Sequence, residues 1–196
     1  ASGVRHVPGE GRGLSWRDPA FTFNTSCHGC HVSQLETNYD PAQDAYRTTW
    51  AEPGINCETC HGGSAEHNRV CREAARKGLP APQDLKITRG GRSFTATQNN
   101  DTCNSCHAKM IPLSASFPPG AAFFDHYDLV ALESPDYYPD GRDLGENYTA
   151  TSWRLSPCAA SGRLDCLHCH TSSGRFRQKN DPNQACAPCH QDKVDN

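Results

Sequence analysis

The sequence predicts mostly irregular loops with short α-helices and little β-structure, wrapped around bound groups rather than built on a side-chain core. Three observations predict this. Only 35% of the 196 residues are hydrophobic and the mean hydropathy is −0.75, so side chains alone bury too little apolar surface to offset the ordering entropy of the chain. The 16 Gly and 14 Pro residues interrupt any long regular element. Finally, the tetrad Cys-x-x-Cys-His occurs five times, at 27–31, 57–61, 103–107, 166–170 and 186–190.

That tetrad is the attachment signature of c-type haem. Two thiols add across the porphyrin vinyl groups, and the next residue, a His, reaches the iron from the proximal side. The spacing has a mechanical reason: in one helical turn both sulfurs meet one porphyrin edge and the imidazole sits under the metal. The sequence therefore predicts five covalently bound c-type haems. Cys27, Cys30, Cys57, Cys60, Cys103, Cys106, Cys166, Cys169, Cys186 and Cys189 would carry the thioethers. His31, His61, His107, His170 and His190 would be the proximal ligands. Structural zinc needs four ligands in paired knuckles, and five identical units do not divide into pairs. A disulfide scaffold has no reason to place His after every second Cys. A stack of five haems supplies the missing core, and the chain without them is not expected to fold.

Ten His residues are present, and five remain outside the proximal set: His6, His28, His67, His126 and His168. Five irons need five distal ligands if each is six-coordinate, so the equality predicts bis-His ligation throughout. His28 and His168 sit inside attachment motifs, where their rings point away from their own iron and are expected to ligate adjacent haems. His67 follows its motif by six residues, and His126 lies in the aromatic run Phe123-Phe124-Asp125-His126-Tyr127. His6 is expected to ligate a haem of this chain or of a neighbouring copy. Met110 stands too close to His107 to swing to the opposite face of the same haem.

Along the chain, residues 1–20 read as an extended N-terminal arm and residues 21–196 as a single haem-bearing domain. A helix is expected over about 64–77, with Ser64 as N-cap and Gly78 at its end. A short strand is expected over 93–97 and a short helix over about 121–132. Tyr39, Tyr46 and Trp50, between the first two motifs, are expected to pack on porphyrin faces or edges. Only 15 residues separate the last two motifs, so their irons are expected to be close neighbours. Two Cys remain outside the motifs, Cys71 and Cys158, and an oxidising compartment favours a disulfide between them. Asp136, Asp140, Asp143 and Glu146 form a loose acidic group that turn chemistry explains as well as a calcium site would.

The formal charge of −3, with two propionates added by each haem, makes the assembled protein acidic. This argues against nucleic acid and for redox proteins or extracellular electron acceptors as partners. No stretch of 18 apolar residues offers a membrane span. Covalent haem attachment happens outside the cytoplasm, so the chain reads as a mature periplasmic or extracellular form whose leader has been removed.

The run 24–31, with Asn38-Tyr39-Asp40, Trp50-Ala51-Glu52-Pro53-Gly54 and Asn56-Cys57-Glu58-Thr59-Cys60-His61-Gly62-Gly63 followed by His67, resembles the multihaem cytochrome family related to cytochrome c-554. Trp153 and Ser156 ahead of the fourth motif, and Asn183 ahead of the fifth, extend the resemblance from about Phe21 to the C-terminus. It implies haems packed in parallel-stacked and perpendicular pairs, with His67 as a distal ligand. The chain departs from that family in having five motifs, against a four-haem design with one open iron, and enough His to close every iron. The family's additional N-terminal motif is missing, and no Cys-x-x-Cys-Lys of the pentahaem nitrite reductases occurs. Extracellular cytochrome filaments are similar in architecture, since a His of one subunit there can ligate a haem of the next.

Two functions follow as expectations. The favoured one is a pentahaem electron carrier without chemistry of its own, either diffusing or self-associating head to tail as the repeating subunit of a conductive filament. The alternative is a redox enzyme acting on small nitrogen species at one five-coordinate haem, which requires one spare His, His6 or His126 being the first candidates, to be unligated.

Overall fold

The computed structural model describes residues 24, 27–88, 93–130, 132, 137–144 and 148–195. The expected arm over 1–20, with His6, lies outside them, as do Asp136 and Glu146 of the acidic group. As the composition implies, the described residues form mostly loops and short helices, with three two-stranded ribbons among them. It divides into two units, one of residues 1–88, 111–119 and 125–128, the other of residues 89–110, 120–124 and 129–196.

In the first unit, the turn α1 (His28–His31) runs directly into β1 (Val32–Ser33), which pairs antiparallel with β4 (Glu52–Pro53). Between them β2 (Tyr39–Asp40) and β3 (Ala45–Tyr46) form a hairpin. Tyr39 and Tyr46 face each other across it, ring centroids 4.8 Å apart, and both rings are nearly half exposed. After β4 comes α2 (Cys57–His61), and Gly62, at φ +73°, reverses the chain as only a residue without a Cβ does freely. The helix α3 (Ala65–Arg76) follows within a residue of the expected bounds, with Ser64 and Lys77 as its flanking residues and Gly78 at φ +64°. Leu79 N–H closes the end by donating to Ala74 O at 3.0 Å.

In the second unit, α4 (Ala96–His107) starts from a capping box. Thr95 accepts the backbone N–H of Gln98, and the Gln98 side chain accepts that of Thr95. This corrects the strand expected over 93–97: the box commits Thr95 to the helix start. The helix expected over about 121–132 is likewise absent. A 3-10 turn, Phe123–Asp125, and β6 (Tyr127–Leu129) stand there; β6 pairs with β5 (Met110–Pro112), and most of both strands belongs to the first unit. Asp101 Oδ2 accepts the Phe123 N–H at 3.2 Å at the start of the 3-10 turn, and the strand pairing that follows takes up the backbone a helix would have needed. Further on lie α5 (Ala150–Arg154), α6 (Pro157–Ala160), α7 (Cys166–Cys169) and α8 (Ala187–Val194).

The buried apolar residues are few among those described: Val32, Ala74, Ala108, Phe123, Tyr137 and Ala150. Asn99, Asp101 and Asn104 are buried on α4, so polar side chains do much of the joining that an apolar core does elsewhere. Lys109 pairs with Asp143 at 3.6 Å and lies over the rings of Tyr137 and Tyr148. Meanwhile Ile55, Leu79, Ile111, Leu113, Phe124 and Leu155 are each more than half exposed. Among the described residues no helix is long and apolar enough to cross a membrane.

Candidate haem-attachment sites

Each attachment motif lies on a turn of helix, and neighbouring side chains set where several of those turns begin. Cys27 is the N-cap residue of α1. Asn56 caps α2 by accepting the N–H groups of Glu58 and Thr59, with Thr59 returning the bond. The third motif is the last turn of α4. Asp165 caps α7 by accepting Leu167 N–H at 2.9 Å. Cys186 caps α8, which kinks at His190 (φ −135°, ψ 40°). The two thiols of each motif thus fall one helical turn apart, as the thioether geometry needs.

Longer contacts bring motifs together within each unit. In the first, the β1–β4 pairing joins the end of the first motif to the approach to the second. Gly54 N–H donates to His31 O at 2.6 Å, and Asn56 Nδ2 donates to Ser33 Oγ at 3.3 Å. Glu58 accepts from the N–H of Ser64 at 2.8 Å and from its hydroxyl at 2.5 Å, which holds its carboxyl below the usual range. Gln34 donates to the same carboxylate at 2.5 Å. In the second unit, Cys103 and Cys166 are hydrogen-bonding partners, and this draws the Cys166 thiol below its ordinary pKa. Burial pushes the Cys169 thiol up.

Several imidazoles are held through Nδ1. His61 Nδ1 donates to Thr88 O at 3.1 Å, His67 Nδ1 to Leu85 O at 2.8 Å and His170 Nδ1 to Gly174 O at 3.0 Å. A carbonyl only accepts, so in each ring the proton is on Nδ1 and the Nε2 lone pair remains for a metal. His126 uses Nδ1 against Ser114 Oγ at 2.7 Å, and His168 uses Nδ1 against Asp165 at 3.1 Å. His28 is 4% exposed, and burial lowers its pKa toward the neutral, ligating form. Four expected distal residues thus lie among those described, His28, His67 and His126 in the first unit and His168 in the second. Reasoning from the sequence missed Leu85, Thr88 and Gly174, whose main-chain oxygens accept these bonds and which no residue identity signals.

The residues fit c-type haem. The turns space the thiols, the ring tautomers leave Nε2 for iron, and the exposed apolar side chains offer surface to porphyrin. No three His, Cys, Asp or Glu side chains converge on a bare metal ion among the described residues. In the acidic group, Asp140 is engaged by Arg142 at 2.8 Å and Asp143 by Lys109. Cys71 and Cys158, the expected disulfide pair, fall in different units. Cys71 Sγ lies 3.8 Å from His67 Nδ1 on its own helix.

Loops and short helices carrying repeated Cys-x-x-Cys-His turns are similar to those of c-type cytochromes. Residues 14–62 match the family described as cytochrome c554 and c-prime. The crystal structure of the outer cell wall cytochrome OcwA shares the fold, with a TM-score of 0.51 and 20% identity over 90% of this chain. This chain spans 37% of the length of that one. No curated protein matches the sequence.

Proposed function

We propose that the chain binds five c-type haems, one per motif, and passes electrons between redox partners through closely packed bis-His irons. When bound, the haems supply a set of one-electron carriers. The observation that carries the reading is His67: its Nδ1 bond to Leu85 O leaves Nε2 bare, and it lies outside any attachment motif. A ring held this way off the proximal set is what a distal ligand requires. His126 and His168, each bonded through Nδ1, support the same role, and His28 and His6 complete the count of five.

The residues would do three things. Capped turns hold the thiols in register, Nδ1 bonds orient the rings, and the apolar residues left at the surface cover porphyrin and keep water off it. The meeting of Cys103 with Cys166 supports closely approaching porphyrin edges for the third and fourth haems. Residence outside the cytoplasm follows from covalent haem attachment, and the outer cell wall location named for OcwA supports an extracellular place. The repeating subunit of a conductive filament is the arrangement we favour, with His6 as the ligand supplied to a neighbouring copy.

The test is an EPR spectrum of the oxidised protein over a concentration series, with the intact mass counting the haems. Low-spin signals at every dilution support closed irons within stable units, and five haem masses support the count. High-spin signal that grows on dilution supports a ligand from a neighbouring copy. A constant high-spin component means one open iron and favours a redox enzyme acting on small nitrogen species.

A further inference from the structure

Two charged side chains beside attachment turns are held by neutral partners alone. In the second motif Glu58 lies between Cys57 and Cys60, and its carboxylate accepts from the Ser64 N–H, the Ser64 hydroxyl and Gln34 Nε2. In the fourth, Arg177 Nε donates at 2.8 Å to Leu167 O and at 2.8 Å to His170 O, both main-chain oxygens of the motif itself. Neither charge makes an ion pair among the described residues. By contrast, Arg69, Lys77, Lys86, Lys109, Arg142 and Arg154 each meet a carboxylate. A neutral partner fixes a charge in place without cancelling it.

Arg177 is held at the expected proximal ligand by the loop that carries it. Gly174 O takes the Nδ1 proton of His170, the Phe176 ring meets the imidazole edge-on at 5.4 Å, and Arg177 takes the carbonyl. Nearby charges of like sign reinforce each residue. Residues 36–58 hold five carboxylates and one cation, and residues 163–179 hold four cations and one carboxylate. That carboxylate, Asp165, starts the fourth turn and opposes Arg177 in part, with Asn99 Nδ2 and Leu167 N–H donating to it. Oxidation adds a positive charge to iron, so a fixed anion favours the ferric state and a fixed cation the ferrous one.

We propose that Glu58 and Arg177 order two haem potentials, Glu58 lowering that at the second motif and Arg177 raising that at the fourth. Reduction then fills the fourth site before the second. The inference rests on the haem attachment proposed above.

The test is a redox titration of the holoprotein in wild type, Arg177→Gln and Glu58→Gln. Each Gln keeps a hydrogen-bonding side chain and removes the charge. Arg177→Gln should lower one haem's potential, so that at fixed applied potential its ferrous-to-ferric ratio falls roughly threefold to tenfold. Glu58→Gln should raise a different haem's ratio by a similar factor, and Arg177→Lys, which keeps the charge, should restore the wild-type value. Unmoved potentials overturn the proposal. So does one haem shifting in both variants, or a Glu58-sensitive haem lying above the Arg177-sensitive one in wild type. Failure of Lys to restore the potential means that the loop's packing acts rather than its charge, and overturns the role of Arg177. Should a variant fail to assemble, wild type alone serves. About 1 M salt should narrow the spread of its potentials, and an unchanged spread overturns the proposal. A wild-type mass lacking haem marks failure of the attachment reading, and the ordering falls with it.

Discussion

Asn100 Oδ1 accepts from the backbone N–H of Cys166 at 3.0 Å and from its thiol at 3.2 Å. The preceding residue, Asn99, donates from Nδ2 to Asp165 Oδ2 at 2.8 Å. Two consecutive amides of α4 therefore hold the first residues of α7, and the helix bearing the third motif positions the turn bearing the fourth. The contact is buried and polar, so its strength depends on every partner being present.

Replacing Asn99 with Ala leaves buried Asp165 short of a donor. Asn99→Ala should lower the stability of the holoprotein by about 1–3 kcal/mol. Urea unfolding, followed in the visible circular dichroism of the haems, measures this. A midpoint equal to wild type would mean that the α4–α7 contact contributes nothing.

His67→Ala should convert one iron from low-spin to high-spin while the covalent haem count stays the same. His67→Met should keep that iron low-spin and raise its potential, because Met/His ligation favours the reduced state. EPR and a redox titration read the two variants. Unchanged spectra in His67→Ala would remove this residue from ligation.

Glu58 carries a pH dependence with a defined sign. Its carboxyl is held below the ordinary value of 4.5, chiefly by the Ser64 hydroxyl and N–H. A carboxylate whose folded pKa is depressed adds stability above its unfolded pKa, and loses it as pH falls through the folded one. Wild type should therefore lose stability below about pH 4.5 more steeply than Glu58→Gln. Thermal melts from pH 6 downward compare the slopes. The carboxylate is only partly buried, so the difference is expected to be small.

The described residues bury only six apolar side chains, three of them Ala. A chain with Ser at all ten attachment Cys should consequently lack a cooperative unfolding transition. A sigmoidal urea curve from that variant would show that side chains alone suffice to fold the chain.

Much of the site was legible in the sequence because haem attachment is a local requirement. Cys, Cys and His must share one helical turn, and the residues that start such turns, Asn56 and Asp165 among them, stand immediately before the motifs. The helix ending at Gly78 was equally local, written in a cap, a polar turn and a glycine. The failures at 93–97 and 121–132 have different causes. Thr95 and Gln98 close a box that outranks strand propensity, while the residues after Phe123 pair as β6 with β5, a partner from elsewhere in the sequence.

The sequence by itself determined the five motif turns, the imidazoles available to iron and the shortage of apolar core, since each is set by composition or by neighbours within a few positions. Only the tertiary structure decided which oxygen faces each imidazole and that Asn99 and Asn100 clasp Asp165 and Cys166. These depend on contacts between residues as far as 66 apart. Such contacts often end on main-chain atoms, which every residue carries alike, so neither periodicity nor residue type announces them.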